Sequence, residues 1–180
     1  MIARHLSLMK FKPKIYYPKR TDKPIYNGLV TQCTLMGISF METCPDTMEA
    51  TKYRLIVDGI FGFSFIPPVR ETFKDIINLM TTTKVPIVSV DVPSGWNVGT
   101  GPEGENSIKP YMLISLTGWW KCWLFEFFKI NITFIAPKQC SKNYNGIHYL
   151  GGRFVPEKLA RKYELNLPEY PGIETCVKLN

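Results

Sequence analysis

Apolar residues follow two different periods along the chain. KIYY at 14–17, just before Pro18, is a short strand candidate, and ISFM at 38–41 is another. RLIVDGIFG, 54–62, is an apolar run that ends in Asp58 and glycines. VPIVSVDV carries a strand over about 86–91, and YMLISL at 111–116 is apolar almost throughout. Short apolar runs bounded by turn residues predict strands buried on both faces. Between them the spacing becomes helical. Ile2, Leu6 and Met9 fit a helix over 2–10, and residues 25–36 fit one that ends at Gly37 as a C-cap. Phe73, Ile76, Ile77 and Met80 share one face over 70–83, a segment begun by Arg70 and Glu71. PEKLARKY, 156–163, starts a helix with proline in its first turn.

Strands alternating with helices, each strand apolar, predict an α/β fold with a mainly parallel sheet covered on both faces. In such sheets the ligand crevice lies beyond the carboxyl ends of the strands. Asp58 and Asp91 both sit where a strand is about to end, so two acids are expected at one crevice. A length of 180 residues fits one domain, and neither an internal repeat nor a low-complexity linker divides it.

Composition narrows the function classes. With 45% hydrophobic and 21% charged residues, the chain reads as soluble and globular rather than disordered. Its net charge of +7 comes from scattered lysine and arginine, with one short run, KFKPKIYYPKR. That distribution describes a solvated face, and no basic-aromatic motif supports nucleic-acid binding. Five cysteines without a C-x-x-C pair, and two histidines, argue against zinc. The odd, dispersed set is expected to be reduced thiols in an intracellular protein. MIARHLSLMKF lacks an apolar core followed by a small-residue cleavage site, so no signal peptide is expected. It reads as a helix already under way.

Three residues carry candidate chemistry. Asp58, in LIVDGIFGFSF, either places a carboxylate before a glycine-bearing loop that approaches phosphate or ribose, or caps a turn. Gly62 stands in no complete G-x-G-x-x-G pattern. Asp91, in SVDVPSGW, ends so apolar a strand that an unpaired carboxylate would be costly unless it faced solvent or a ligand. That placement suits general acid–base work. Ser94, with Asp58, could supply hard oxygen ligands for a cation. The competing reading is an Asx-type turn around Pro93 and Gly95. No Ser-His-Asp arrangement is legible, and His148 reads as an ordinary strand residue.

VDGIFGFSF, PPVRETF, VPIVSVDVPSGW, LISLT, APKQCSKNYNG, HYLGGRFVP and YELNLPEYP occur in that order from about Arg4 to the C-terminus. In these motifs the chain resembles the NAD(P)HX epimerases, the YjeF N-terminal domain proteins known in animals also as apolipoprotein A-I-binding protein. The resemblance implies a Rossmann-like three-layer α/β sandwich that interconverts the R and S epimers of hydrated NADH and NADPH. It implies Asp91 as the catalytic and substrate-binding acid. It implies Asp58 and Ser94 as potassium ligands. The loop Gly62, Phe63, Ser64, Phe65, Ile66, Pro67 and Pro68 would contact the hydrated dinucleotide. A homodimer, an apolipoprotein A-I-like partner and a mitochondrial or cytoplasmic location also follow from the resemblance.

The chain departs from that pattern in places. An Asn-Asn-Gly-Gly-Asp-Gly loop, carrying a potassium-binding asparagine, is expected just before the helix near Ile2. The sequence does not contain it, so the expectation is one domain over 1–180 lacking its N-terminal portion. Ile66-Pro67-Pro68 replaces Lys-Gly-Asp, and the double proline would stiffen the turn. Asn97 replaces an aspartate. Between Thr117 and Ala136 the segment GWWKCWLFEFFKINITFI, 118–135, reads as an insertion. Trp119, Trp120, Trp123, Leu124, Phe127 and Phe128 cover about half a helical wheel, with Lys121, Glu126 and Lys129 opposite. Either this is a membrane-surface or partner-binding helix, or it is translated intron; its charges argue against a transmembrane span. For the whole chain the alternative to an epimerase is a catalytically impaired nucleotide-binding or protein-interaction module.

Overall fold

The computed structural model describes residues 1–104, 106–116, 118–119, 133–134, 139–162, 165 and 167–179. Within them the alternation of strands and helices holds. Helix α1 (Ile2–Leu8) leads into β1 (Lys14–Tyr16), and α2 (Pro24–Leu35) leads into β2 (Ser39–Met41). The short α3 (Thr47–Ala50) precedes β3 (Ile56–Asp58). A 3-10 turn, Glu71–Phe73, runs into α4 (Lys74–Thr82), followed by β4 (Ile87–Val90) and β5 (Met112–Ser115). After the pair β6 (Gly118–Trp119) and β7 (Thr133–Phe134) come β8 (Ile147–Gly151), α5 (Glu157–Lys162) and β9 (Cys176–Lys178).

Five strands form the main sheet in the order β3-β4-β5-β8-β9. The first four run parallel, and β9 closes the edge antiparallel to β8. The parallel pair β1-β2 is a separate sheet. The expectation of an α/β fold with a mainly parallel sheet is therefore met. The wheel of large aromatic residues expected within 118–135 lies outside the described residues, except that Gly118 and Trp119 pair with Phe134 and Thr133.

Local sequence explains the element ends. Pro24 sits at the first position of α2, where a missing N–H costs nothing. At the other end, Gly37 has φ +71°, and its N–H donates to Thr34 O at 2.9 Å while Ile38 N–H donates to Cys33 O at 3.0 Å. These two bonds make a Schellman ending, and Ile38 packs its apolar side chain inward, as such endings favour. Asp46 caps α3 by accepting the Glu49 N–H at 2.7 Å.

Two apolar clusters form the core. One gathers Ile76, Leu79 and Met80 of α4 with Phe73, Ile87 and Ile108. The second joins Val92, Trp96 and Cys140, with Tyr144 against them. Leu113 of β5 and Leu150 of β8 are 0% exposed, so each contributes about 2 kcal/mol through burial. Every strand of the parallel run points its carboxyl end the same way.

Candidate functional site

Because Asp58 pairs in register with Ser89, the ends of β3 and β4 lie side by side. Asp58 is 2% exposed. Its Oδ2 accepts from Ser89 Oγ at 2.9 Å and from the Ser94 N–H at 2.8 Å. Its Oδ1 accepts from Ser94 Oγ at 2.5 Å, and the Ile60 N–H reaches it at 3.4 Å. Burial pushes the Asp58 carboxyl above its ordinary 3.8, while donors from Ser94, Ser89 and Ile60 pull it back. Ser94 Oγ accepts in turn from the Phe61 N–H at 3.0 Å. One hydroxyl thus ties the loop after β3 to the turn after β4.

That turn is built for the purpose. Trp96 N–H closes it onto Pro93 O at 3.0 Å, and Gly95 sits at φ +90° where a side chain would strain the backbone. Trp96 is 5% exposed and anchors the turn by donating Nε1–H to Ile108 O at 2.9 Å.

Asp91 stands between strand and turn. Its N–H donates to Ile114 O of β5 at 2.8 Å, and its φ is +76°, a left-handed value uncommon outside glycine. Its Oδ2 accepts from the Phe63 N–H at 2.9 Å. Gly62 makes that approach possible, since a Cβ there would lie 2.7 Å from Asp91 Oδ2. Asp91 is half-buried, in contrast to Asp58. Among the sequence candidates, then, Asp58 meets Ser94, and Asp91 meets Gly62 and Phe63.

Aromatic packing fixes the rest of the loop. Phe61 stacks on Phe65 at 4.6 Å between ring centroids and meets Phe73 edge-on at 5.0 Å. Ser64, Ile66, Pro67 and Pro68 lie exposed on the loop's outer side, and the Pro67-Pro68 bond is cis. Asn97 bonds away from Asp91, donating Nδ2–H to Glu103 Oε1 at 2.8 Å and accepting from the Gly99 N–H.

Sequence reading missed two contributors. Ser89 is 0% exposed and gives Asp58 a donor; only its position opposite Asp58 in a parallel register would have shown it. His148 does lie in a strand, but its Nε2 is 2.8 Å from Ser115 Oγ, and Tyr144 meets its ring edge-on. Burial lowers the His148 pKa from its ordinary 6.5. This pair is buried within the sheet.

A carboxylate that is half-buried, oriented by the Phe63 N–H and held on a constrained backbone can give and take a proton without reorganising. Asp58, buried among neutral donors, suits an organising role or hard-cation binding. The comparisons with known proteins agree on one kinship. The family model described as YjeF-related protein N-terminus matches residues 1–122. An NAD(P)H-hydrate epimerase of Anopheles darlingi is 48% identical over 180 residues, which span 99% of this chain and 71% of that protein. The crystal structure of yeast ynu0, YNL200c, shares 35% identity at a TM-score of 0.79, covering 99% of this chain and 70% of that one. The family model over residues 1–122 and the 48% identity across nearly the whole chain place it in the family of YjeF-related N-terminal domain proteins.

Proposed function

We propose that this chain is an isomerase that interconverts the R and S epimers of hydrated NADH and NADPH, with Asp91 as the proton-transferring residue. The observation that carries this reading is the constrained Asp91 carboxylate, held by the Phe63 N–H over a loop where only Gly62 leaves it room. Kinship to an enzyme named for that reaction supports it. The substrate carries a hydroxyl on C6 of the nicotinamide ring. As the C6–O bond breaks, the ring nitrogen lone pair forms an iminium-like bond, and protonated Asp91 gives its proton to the departing oxygen. Water then adds to the other face of C6, and the Asp91 carboxylate takes a proton back. Atoms and charge balance, and the acid is regenerated. The loop Gly62 to Pro68 presents main-chain groups and the half-exposed Phe63 ring to the dinucleotide.

The Asp58 carboxylate and the Ser94 hydroxyl, hydrogen-bonded to each other, are hard oxygens of the kind a potassium ion would take. Their remaining partners are neutral donors, so an ion there would supply the positive charge this buried carboxylate lacks. Residues 118–135 are proposed as an insertion into this single domain.

The test follows epimer ratios of an NADHX mixture by NMR with the purified chain, with and without potassium. Asp91→Asn is the informative variant, because asparagine tolerates the left-handed backbone and can still accept the Phe63 N–H. Epimerisation is expected to fall by about 100-fold or more. Equal rates for the two proteins would remove Asp91 from the mechanism.

A further inference from the structure

Helices α1 and α2 end in the same way and in the same place. Each closes on a leucine and a methionine, Leu8-Met9 and Leu35-Met36. One residue in the left-handed region follows, Lys10 at φ +69° and Gly37 at φ +71°. Lys10 N–H donates to Ser7 O at 2.9 Å and Phe11 N–H to Leu6 O at 3.0 Å, the same pair of bonds that ends α2. The strands that follow, β1 and β2, run parallel, with Lys14 paired to Ser39. Arg4 of α1 hydrogen-bonds Gln32 of α2. The two helices therefore lie side by side, and their last turns stand together at the amino ends of β1 and β2.

What gathers there is apolar and exposed. Leu8 and Met9 are each 66% exposed, Phe11 63% and Leu35 82%. A Schellman ending favours inward packing of the apolar residue that follows it, as Ile38 shows. Phe11 holds the matching position after α1, yet it stays in water. Lys10 is unusual for another reason, since a left-handed backbone favours glycine and strains a lysine. Charge singles out the same segment. Residues 1–41 hold seven of the 22 Lys and Arg but one of the 15 Asp and Glu, so six of the seven net positive charges fall there. Lys10, Lys12 and Lys14 are exposed beside the apolar side chains, and the one acid, Asp22, accepts from Asn27 Nδ2–H.

We infer that the turns after α1 and α2 form a docking surface for an anionic phospholipid bilayer. Leu8, Met9, Phe11 and Leu35 enter the acyl boundary, and Lys10, Lys12 and Lys14 meet the headgroups. A bilayer interface is layered in that order, with anionic groups above apolar chains. A second copy of the chain would set lysines against lysines. A nucleic-acid backbone would pair with the lysines but leave the four apolar side chains in water. The surface uses no residue assigned to epimerisation, so it stands or falls apart from that reading.

The experiment is co-sedimentation of the 180-residue chain with phosphatidylcholine vesicles, with and without a third of phosphatidylserine. Partitioning onto the anionic vesicles is expected to be stronger by about tenfold or more, and to weaken with added salt. Lys10→Gly removes a charge and relieves the backbone, so the protein melts no lower while partitioning drops about fivefold. Phe11→Ser and Leu35→Ser change exposed positions, keep the melting temperature and each lower partitioning about tenfold. Ile173→Ser, at an exposed position outside the patch, leaves partitioning unchanged. Equal partitioning onto both vesicles, or none onto either, would overturn the inference. So would vesicle binding that Lys10→Gly and Phe11→Ser leave intact, or that Ile173→Ser weakens as much as they do. A DNA duplex or polyglutamate bound as tightly as the anionic vesicles, and no less tightly by Phe11→Ser, would overturn the lipid assignment in favour of a soluble polyanion.

Discussion

Asp91 occupies a backbone conformation that costs most side chains about 1 kcal/mol, and its carboxylate sits where any residue but glycine at 62 would collide with it. These two constraints aim one acid. Gly62→Ala tests them without touching the acid itself. The added methyl must displace Asp91 Oδ2, and a displacement near 1 Å lowers turnover by about 100-fold. Folding should survive, because the loop is only half-buried. Melting within a few degrees of the parent, with epimerisation down by that factor, is the expected outcome. Full activity would show that Oδ2 need not hold its position.

His148 makes a second prediction at this scale, on stability. Burial depresses its pKa in the folded protein below 6.5, whereas the unfolded chain titrates near that value. Below pH 6.5 the unfolded state binds the extra proton, so stability present above that pH is lost as the pH falls through it. His148→Gln can still bond Ser115 Oγ but has no proton to gain. The urea midpoint of the parent should therefore drop more than that of the variant between pH 7.5 and pH 5.5. A difference independent of pH would sink the prediction.

Among elements, the junction of the β3 loop with the β4 turn depends on Ser94. Ser94→Ala leaves the buried Asp58 Oδ1 and the Phe61 N–H short of a partner, and each loss is of the kind that costs 1–3 kcal/mol. A destabilisation of about 2 kcal/mol or more in urea unfolding is expected, and one under about 0.5 kcal/mol would show that water replaces the hydroxyl. Element identity was largely legible in the sequence. β4 and β5 lie in runs that are apolar but for one serine each, and the Phe73, Ile76 and Met80 spacing located α4. β8 interleaves His148 and Tyr149 with its apolar residues and was legible only through the strand reading of His148, whereas β9, three residues long at the sheet edge, was missed. Strand order was hidden for a different reason, since β5 and β8 are neighbours across a long connection. The same distance concealed the site's inner contacts. Asp58 and Ser94 were each visible as candidates, but the bonds from Ser89 Oγ to Asp58 and from the Phe61 N–H to Ser94 Oγ exist only once β3 and β4 lie in register.

At the scale of the whole molecule, stability is distributed unevenly, and the distribution is measurable. The five-stranded sheet holds Leu113, Ser115, Ser89 and Leu150 at 0% exposed, and the α4 and Trp96 clusters are buried beside it. The part before β3 is thinner. α1 buries no residue, α2 buries Cys33, and among the described residues β1 and β2 pair with each other alone. Local opening follows buried apolar contact, so this part should exchange through sub-global opening while the main sheet exchanges only on global unfolding. In native-state exchange across low denaturant, Ile15 and Phe40 amides should show a smaller opening free energy and a weaker denaturant dependence than those of Leu113 and Leu150. Convergence of all four on one free energy would mean that the two sheets unfold as a unit.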